Sequence, residues 1–356
     1  MFPIFKSHVL PRALIALLLL GTAGCDAVIQ RVLSAAVERQ QGGDGDLLLT
    51  DDAINIFFCG TGSPLPDPTA AAACTVVIAG GKLYVVDVGP GSQEVAQIGE
   101  MPRAALAGIL LTHFHSDHIG ELGEWATQSW LAGRSHPLHI YGPQGVEEIT
   151  QGFRQAYRID DEYRIAHHGE NNLPRSAGEW IAHTVPYTNG PGTVILEDGD
   201  LTITAFAVDH KPVEPAVGYR FDYKDRSVVI SGDTDKSENL EANAKGADVL
   251  IHEVLLKDII GQMSDMLGES GRIRQQTLAA DVLDYHTSPA EAVVSAEKSG
   301  VNTVVFNHLV PPLPGFLRSW LFLRHANSEV VDVVLGEDYM TIRLPAGSEA
   351  VEIEAP

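Results

Sequence analysis

The chain has 356 residues, 45% of them hydrophobic and 20% charged, a balance that excludes disordered and fibrous classes and suits a folded protein. Forty-seven Asp and Glu against 24 Lys and Arg leave a formal charge of −23, which repels the phosphate backbone that dominates nucleic-acid affinity. With no basic run to compensate, no nucleic-acid partner is expected.

Lys6 and Arg12 precede the apolar stretch from Ala13 to Leu20, and the small residues Gly21-Thr22-Ala23-Gly24 follow. That is the layout of a cleaved export signal over residues 1–24, too short to span a bilayer. Cys25 after Ala23-Gly24 resembles a bacterial lipoprotein signal. It implies a lipidated Cys25 and a periplasmic protein anchored to the inner or outer membrane. Residues 25–50 read as tether and linker, with helical spacing of Val28, Val32, Leu33 and Val37 before the break Gln41-Gly42-Gly43-Asp44-Gly45-Asp46. Residues 51–356 read as the catalytic domain.

Within that domain, polar residues recur where apolar runs stop. Ile54 to Phe58 reads as a strand before the turn Gly60-Thr61-Gly62-Ser63-Pro64, and Val85-Val86 leads to Asp87. Ala107 to Leu111 reads as a buried strand before His113-Phe114-His115-Ser116-Asp117-His118. His210 follows Ala205 to Val208, Asp233 follows Ile230-Ser231-Gly232, and His308 follows Val304 to Phe306. Imidazole nitrogen and carboxylate oxygen are donors preferred by zinc and similar ions. His113 and His115 alternate along an extended loop, so their rings can point the same way. Asp117 and His118 can serve a second ion beside the first. Cys59 and Cys74 either pair across neighbouring strands or stay as two buried thiols, and the second reading is preferred.

The histidine run, with its flanks in this order, resembles the signature of the metallo-β-lactamase superfamily over about residues 54 to 345. The resemblance implies an α/β fold, the αββα four-layer sandwich, with a dinuclear metal site at the sheet edge. It assigns His113, His115 and His210 to one ion, Asp117, His118 and His308 to the other, and Asp233 to both. Two Zn²⁺ are the expected cofactors, with Mn²⁺ or Fe²⁺ as alternatives; a hydroxide between two such ions is a nucleophile at neutral pH. Asp87 is expected behind the histidine loop, accepting hydrogen bonds.

Two further stretches, Ile251-His252-Glu253 and His286-Thr287-Ser288-Pro289, resemble paired loops of the ribonuclease Z group. Carried over, the catalytic set is Asp117, Glu253 and His286, with His286 stabilising the oxyanion and protonating the leaving alcohol. Ser288-Pro289-Ala290-Glu291 is also a capping box that opens a helix, and Gly300 can end it. His139, His167, His168 and His183 are less constrained. The segment Tyr157 to Gly169 reads either as a lid or as a solvated insertion. His136, His252 and His325 read as structural or surface residues.

The tRNA-processing members carry a long arm between the residues matching His210 and Asp233, where this chain has a short hairpin from Gly218 to Ile230. The preferred expectation is therefore an exported, arylsulfatase-like or phosphodiesterase-like hydrolase of small sulfate or phosphate esters, with a homodimer left open. A lactone or thioester hydrolase, a ribonuclease Z-type enzyme of tRNA 3′ processing, and a non-catalytic envelope binding protein are the alternatives.

Overall fold

The computed structural model describes residues 28–34 and 45–356. Residues 28–34 are helical, with Val28, Ile29, Val32 and Leu33 exposed. The proposed signal and Cys25 lie outside the described residues. Leu47–Pro356 forms a unit of its own.

That unit begins with strands β1 (Ala53–Gly60), β2 (Cys74–Ala79) and β3 (Lys82–Val86), then helix α1 (Ser92–Ile98), β4 (Leu106–Leu110), the short turn α2 (Ser116–Ile119) and α3 (Leu122–Leu131). β5 (Leu138–Gly142), the 23-residue α4 (Val146–His168) and β6 (Trp180–Thr184) complete the first half. The second half runs through β7 (Thr193–Asp198), β8 (Leu201–Ala207), β9 (Val217–Tyr223), β10 (Arg226–Ile230), α5 (Glu238–Asn243) and β11 (Val249–Leu255). It continues with α6 (Lys257–Glu269), α7 (Ile273–Asp281), α8 (Pro289–Ser299), β12 (Thr303–Val310), α9 (Gly315–Leu323), β13 (Asp332–Leu335), β14 (Thr341–Pro345) and β15 (Glu352–Glu354).

The strands form two mixed sheets, one ordered β15-β14-β1-β2-β3-β4-β5-β6 and the other β13-β12-β11-β10-β9-β8-β7. β1, apolar apart from Asn55 and the terminal Gly60, shows why the strands do not alternate between apolar and polar. Ile54, Ile56 and Phe58 face the core between the sheets, while Phe57 and Cys59 face the outer core beneath the helices of the first half. A strand covered on both faces needs apolar residues at every position. Trp125 and Ala126 of α3 close that outer core, and Ala292, Val293 and Ala296 of α8 help close the matching one on the second sheet. The result is the expected αββα layering. Among the described residues no helix is long and apolar enough to cross a membrane.

One expectation is overturned. Cys59 and Cys74 are joined as a disulfide, with Cα atoms 5.0 Å apart, rather than two buried thiols. The cause is a shift in register between Phe58 and Gly60, which leaves Cys59 as an extra residue opposite β2. That bulge turns its side chain toward Cys74. The hairpin of β9 and β10 is as short as expected, and α8 starts on the expected capping box and ends at Gly300 in the left-handed region. The segment 157–169 is mostly the second half of α4, with all but Ile165 of its residues half-buried or exposed.

Candidate metal centre

The ends of β4, β8 and β10, together with the last turn of β12, bring the seven sequence-derived ligand candidates together. His113, His115, His210 and Asp233 offer donor atoms within 4.8 Å of one another, and so do Asp117, His118 and His308. Asp233 joins both groups. Its Oδ2 lies 3.3 Å from His118 Nε2 and 3.5 Å from His308 Nε2, and 3.9 Å from Nε2 of both His113 and His210. An anion so placed can offset the repulsion between two adjacent cations.

Each side chain is positioned by something local. Gly232 adopts φ +62°, and a Cβ there would stand 2.8 Å from Cβ of Thr112, so only glycine lets Asp233 reach the histidine loop. β11 and β12 pair Glu253 with Asn307 and Val254 with Leu309, which leaves His308 as an extra, bulged residue at φ +46°. The bulge aims His308 inward, a use of local strain common at functional sites. Asp87, at φ +57°, accepts from Thr112 N and Oγ1 at 2.8 Å each and contacts His118 Nδ1 at 2.8 Å. It therefore braces the loop from behind, as expected. His210 Nδ1 donates to the Tyr285 carbonyl at 2.9 Å. With Nδ1 engaged, Nε2 of both His118 and His210 is free to face the centre.

The electrostatics suit cations. His118 Nε2, His210 Nε2, His308 Nδ1 and Asp233 Oδ1 are buried without a hydrogen-bond partner, which is costly for a polar atom. Burial, with His118 close by, holds the pKa of His113 well below that of free histidine, and burial lowers that of His210 too. Neutral imidazoles are the ligating form. Burial alone would raise the Asp233 carboxyl pKa, but His308, His118 and His113 hold it well below the usual carboxylate range. Orphaned donor atoms, imidazoles kept neutral at His113 and His210, and an ionised shared carboxylate fit two divalent ions.

Beside the ligands lies a second constellation. Glu253 Oε1 accepts from His286 Nδ1 at 2.9 Å, from Thr287 N at 3.1 Å and from Thr234 N at 3.2 Å. Thr287 Oγ1 donates to the Thr234 carbonyl at 2.7 Å. The His286 loop is thus tied to the residue after Asp233. Burial alone would lower the pKa of His286, but Glu253 and Asp233 raise it to about 9. The ring reaches the metal groups, stacked 5.8 Å from that of His308. Glu253 is buried behind it and positions it.

The remaining histidines lie outside both ligand groups. His139 and His183 pair with each other at 2.8 Å across β5 and β6, and His167 and His168 are exposed at the end of α4. Two supports were invisible in the sequence: the Tyr285 carbonyl, a backbone group with no side-chain signal, and the bulge at His308, which only strand pairing reveals.

Residues 68–308 match the family described as the metallo-beta-lactamase superfamily. The chain is 37% identical over 299 residues to "Ribonuclease Z" of Mycolicibacterium paratuberculosis, covering 83% of this chain and all of that relative. It is 38% identical over 271 residues to "Ribonuclease Z" of Mycobacterium bovis, covering 75% and 90%. Among solved structures it resembles human tRNase Z, short form, with a TM-score of 0.59 at 21% identity, over 82% of this chain and 99% of that one. With the family match over two thirds of its length and these relatives beside it, the chain belongs to the metallo-beta-lactamase superfamily.

Proposed function

We propose that this chain is a metal-dependent ribonuclease of the ribonuclease Z kind, hydrolysing a phosphodiester bond in tRNA 3′ processing. The observation that carries the reading is the 37% identity spanning the whole length of a relative named ribonuclease Z. The placement of His286 on Glu253 beside the ligand groups agrees with it.

This corrects two expectations. The ribonuclease Z relatives overturn the reading as a hydrolase of small sulfate or phosphate esters, and with it the expectation of no nucleic-acid partner. The formal charge misled because it averages over the whole surface, whereas a phosphodiester meets the local field, to which bound cations make the largest contribution. The missing arm misled because a relative matched over its full length falls within 299 aligned residues, so this compact form is shared.

The seven ligand candidates would hold two divalent ions, zinc being the preferred choice. When bound, such ions supply an activated water and balance charge on the phosphate oxygens. Asp117, held ionised by His118 and His308 against the effect of its burial, can orient the attacking water by accepting a hydrogen bond from it. His286, kept protonated by Glu253, can donate to the departing oxygen.

The test is incubation of the purified, metal-analysed chain with a precursor tRNA bearing a 3′ extension. Expected are a single shortened product, its loss on chelation and its return with zinc. An intact precursor with fully metal-loaded protein would overturn the reading.

A further inference from the structure

A half-open cavity of about 350 Å³ lies where the starts of α6 and α8 meet the end of α9. It is separate from both ligand groups, yet two of its walls continue the catalytic loops. Leu256 follows Glu253 by three residues, and Ser288 follows His286 by two, which puts its Cα within about 7 Å of that of His286. The floor is apolar, built from Leu256, Pro289, Leu321 and Phe322.

Among the described residues, the rim carries one cation without an acceptor. Arg324 lines the cavity, and its Nε is buried with no acceptor. Its guanidinium sits 5.4 Å from the ring centroid of Trp320, which holds it in place. Lys257, also on the rim, is already balanced by Glu291 at 3.0 Å and Asp235 at 3.3 Å. Among the described residues at the cavity, the positive charge without an ion-pair partner is therefore that of Arg324. A buried donor without an acceptor is costly, and a ligand oxygen would relieve that cost.

An apolar floor beside one guanidinium suits a ligand that is flat and apolar at one end and anionic at the other. We propose that this cavity binds one nucleotide of the RNA substrate, its base against the Leu256, Pro289 and Phe322 floor and its phosphate on Arg324. Arginine recognises phosphate by charge-assisted hydrogen bonds, and the volume falls in the range of small-ligand sites. Asp258, on the same rim, can accept from a base amino group. The proposal rests on the ribonuclease reading above.

The test titrates the metal-loaded full chain with 5′-AMP, 5′-CMP and inorganic phosphate, following Trp320 emission. Trp320 is 61% exposed, whereas Trp125 and Trp130 are buried and half-buried Trp180 lies on β6 of the other sheet, so nucleotide beside Arg324 should quench mainly Trp320. Two variants are compared with wild type. Arg324→Ala removes the charge, and Ala290→Phe fills the cavity from an exposed wall position without altering charge. Expected is tighter binding of nucleotides than of phosphate, weakened about tenfold or more in each variant, the scale of one lost charge-assisted hydrogen bond. KM for precursor tRNA should rise by a similar factor with metal content unchanged. Nucleotides binding no better than phosphate, or wild-type affinity in both variants, would overturn the cavity assignment even if precursor cleavage stands. Cavity-dependent nucleotide binding by a chain that leaves precursor tRNA intact would overturn the ribonuclease reading instead.

Discussion

The loop after β4 and the helical hairpin after β11 both lead into the metal centre, yet they are built in opposite ways. Between Thr112 and His118 the chain buries His113, Asp117 and His118 and fastens Thr112 and His118 to Asp87. Between Leu256 and His286 it makes α6 and α7, in which only Ile260 and Ser264 are buried. Met263, Met266, Ile273 and Leu278 stand exposed on that hairpin. The contrast separates two tasks. Groups that must hold cations at fixed separations sit on strand ends braced from behind, where error in position is least. The hairpin carries none of the ligands, and so can differ in length or sequence without moving them.

The largest effect should come from breaking the braced side at its centre. Asp233→Ala removes the carboxylate that lies within 4 Å of histidines in both ligand groups, so two cations would face each other without their common anion. Activity on precursor tRNA should fall to background, and metal analysis should show one equivalent or none. Two retained equivalents would refute the bridging role of Asp233.

Next in size is the junction of the two regions. His286→Ala should leave both metal equivalents in place while turnover falls by about 10²–10⁴, the range for a lost general acid. The loss should shrink for a bis-nitrophenyl phosphate substrate, whose leaving group departs without a proton. An equal loss on both substrates would show that His286 only binds anion.

The difference between the regions also marks what was legible in the sequence. The ligand set could be read because histidine and aspartate stand at the ends of apolar runs, and a strand end leaves little freedom over where they point. The αββα layering was implied by the resemblance to the superfamily, and the same runs fit an α/β architecture. The hairpin passed unnoticed, although Ile259, Ile260, Met263, Met266 and Leu267 recur at helical spacing in α6. The disulfide and the orientation of His308 both depend on a single extra residue in a strand, and bulges leave no periodic signal. Surface charge was legible but misapplied, since a sum over 356 residues says little about the field at one centre.

A third prediction probes the bracing alone. Asp87→Asn keeps the shape but removes the charge that pairs with His118, so zinc affinity should drop by about 10–100-fold, as is usual for such outer partners. Competition with a chromophoric chelator would measure this. An unchanged affinity would mean that Thr112 and the backbone suffice to orient the loop.

Smaller still is the backbone device under Asp233. Gly232→Ala forces a side chain into φ +62° and against Cβ of Thr112, so unfolding free energy should fall by about 1–3 kcal/mol. Urea denaturation of the metal-loaded protein checks it. Stability equal to wild type would show that the two segments can move apart freely, against the rigid edge inferred here.

The smallest effect belongs on the hairpin. Met266→Ser and Ile273→Ser change exposed side chains in α6 and α7, so each should alter unfolding free energy by no more than about 0.5 kcal/mol. Metal content should be unchanged, because neither residue belongs to a ligand group. The exposed face is apolar enough that this outcome is informative. If a second copy of the chain covered it in solution, each substitution would remove buried contacts, and stability would drop by more than that and vary with protein concentration. Such a result would turn the hairpin from a freely variable excursion into a structural interface, and the contrast with the ligand loop would fail at that point.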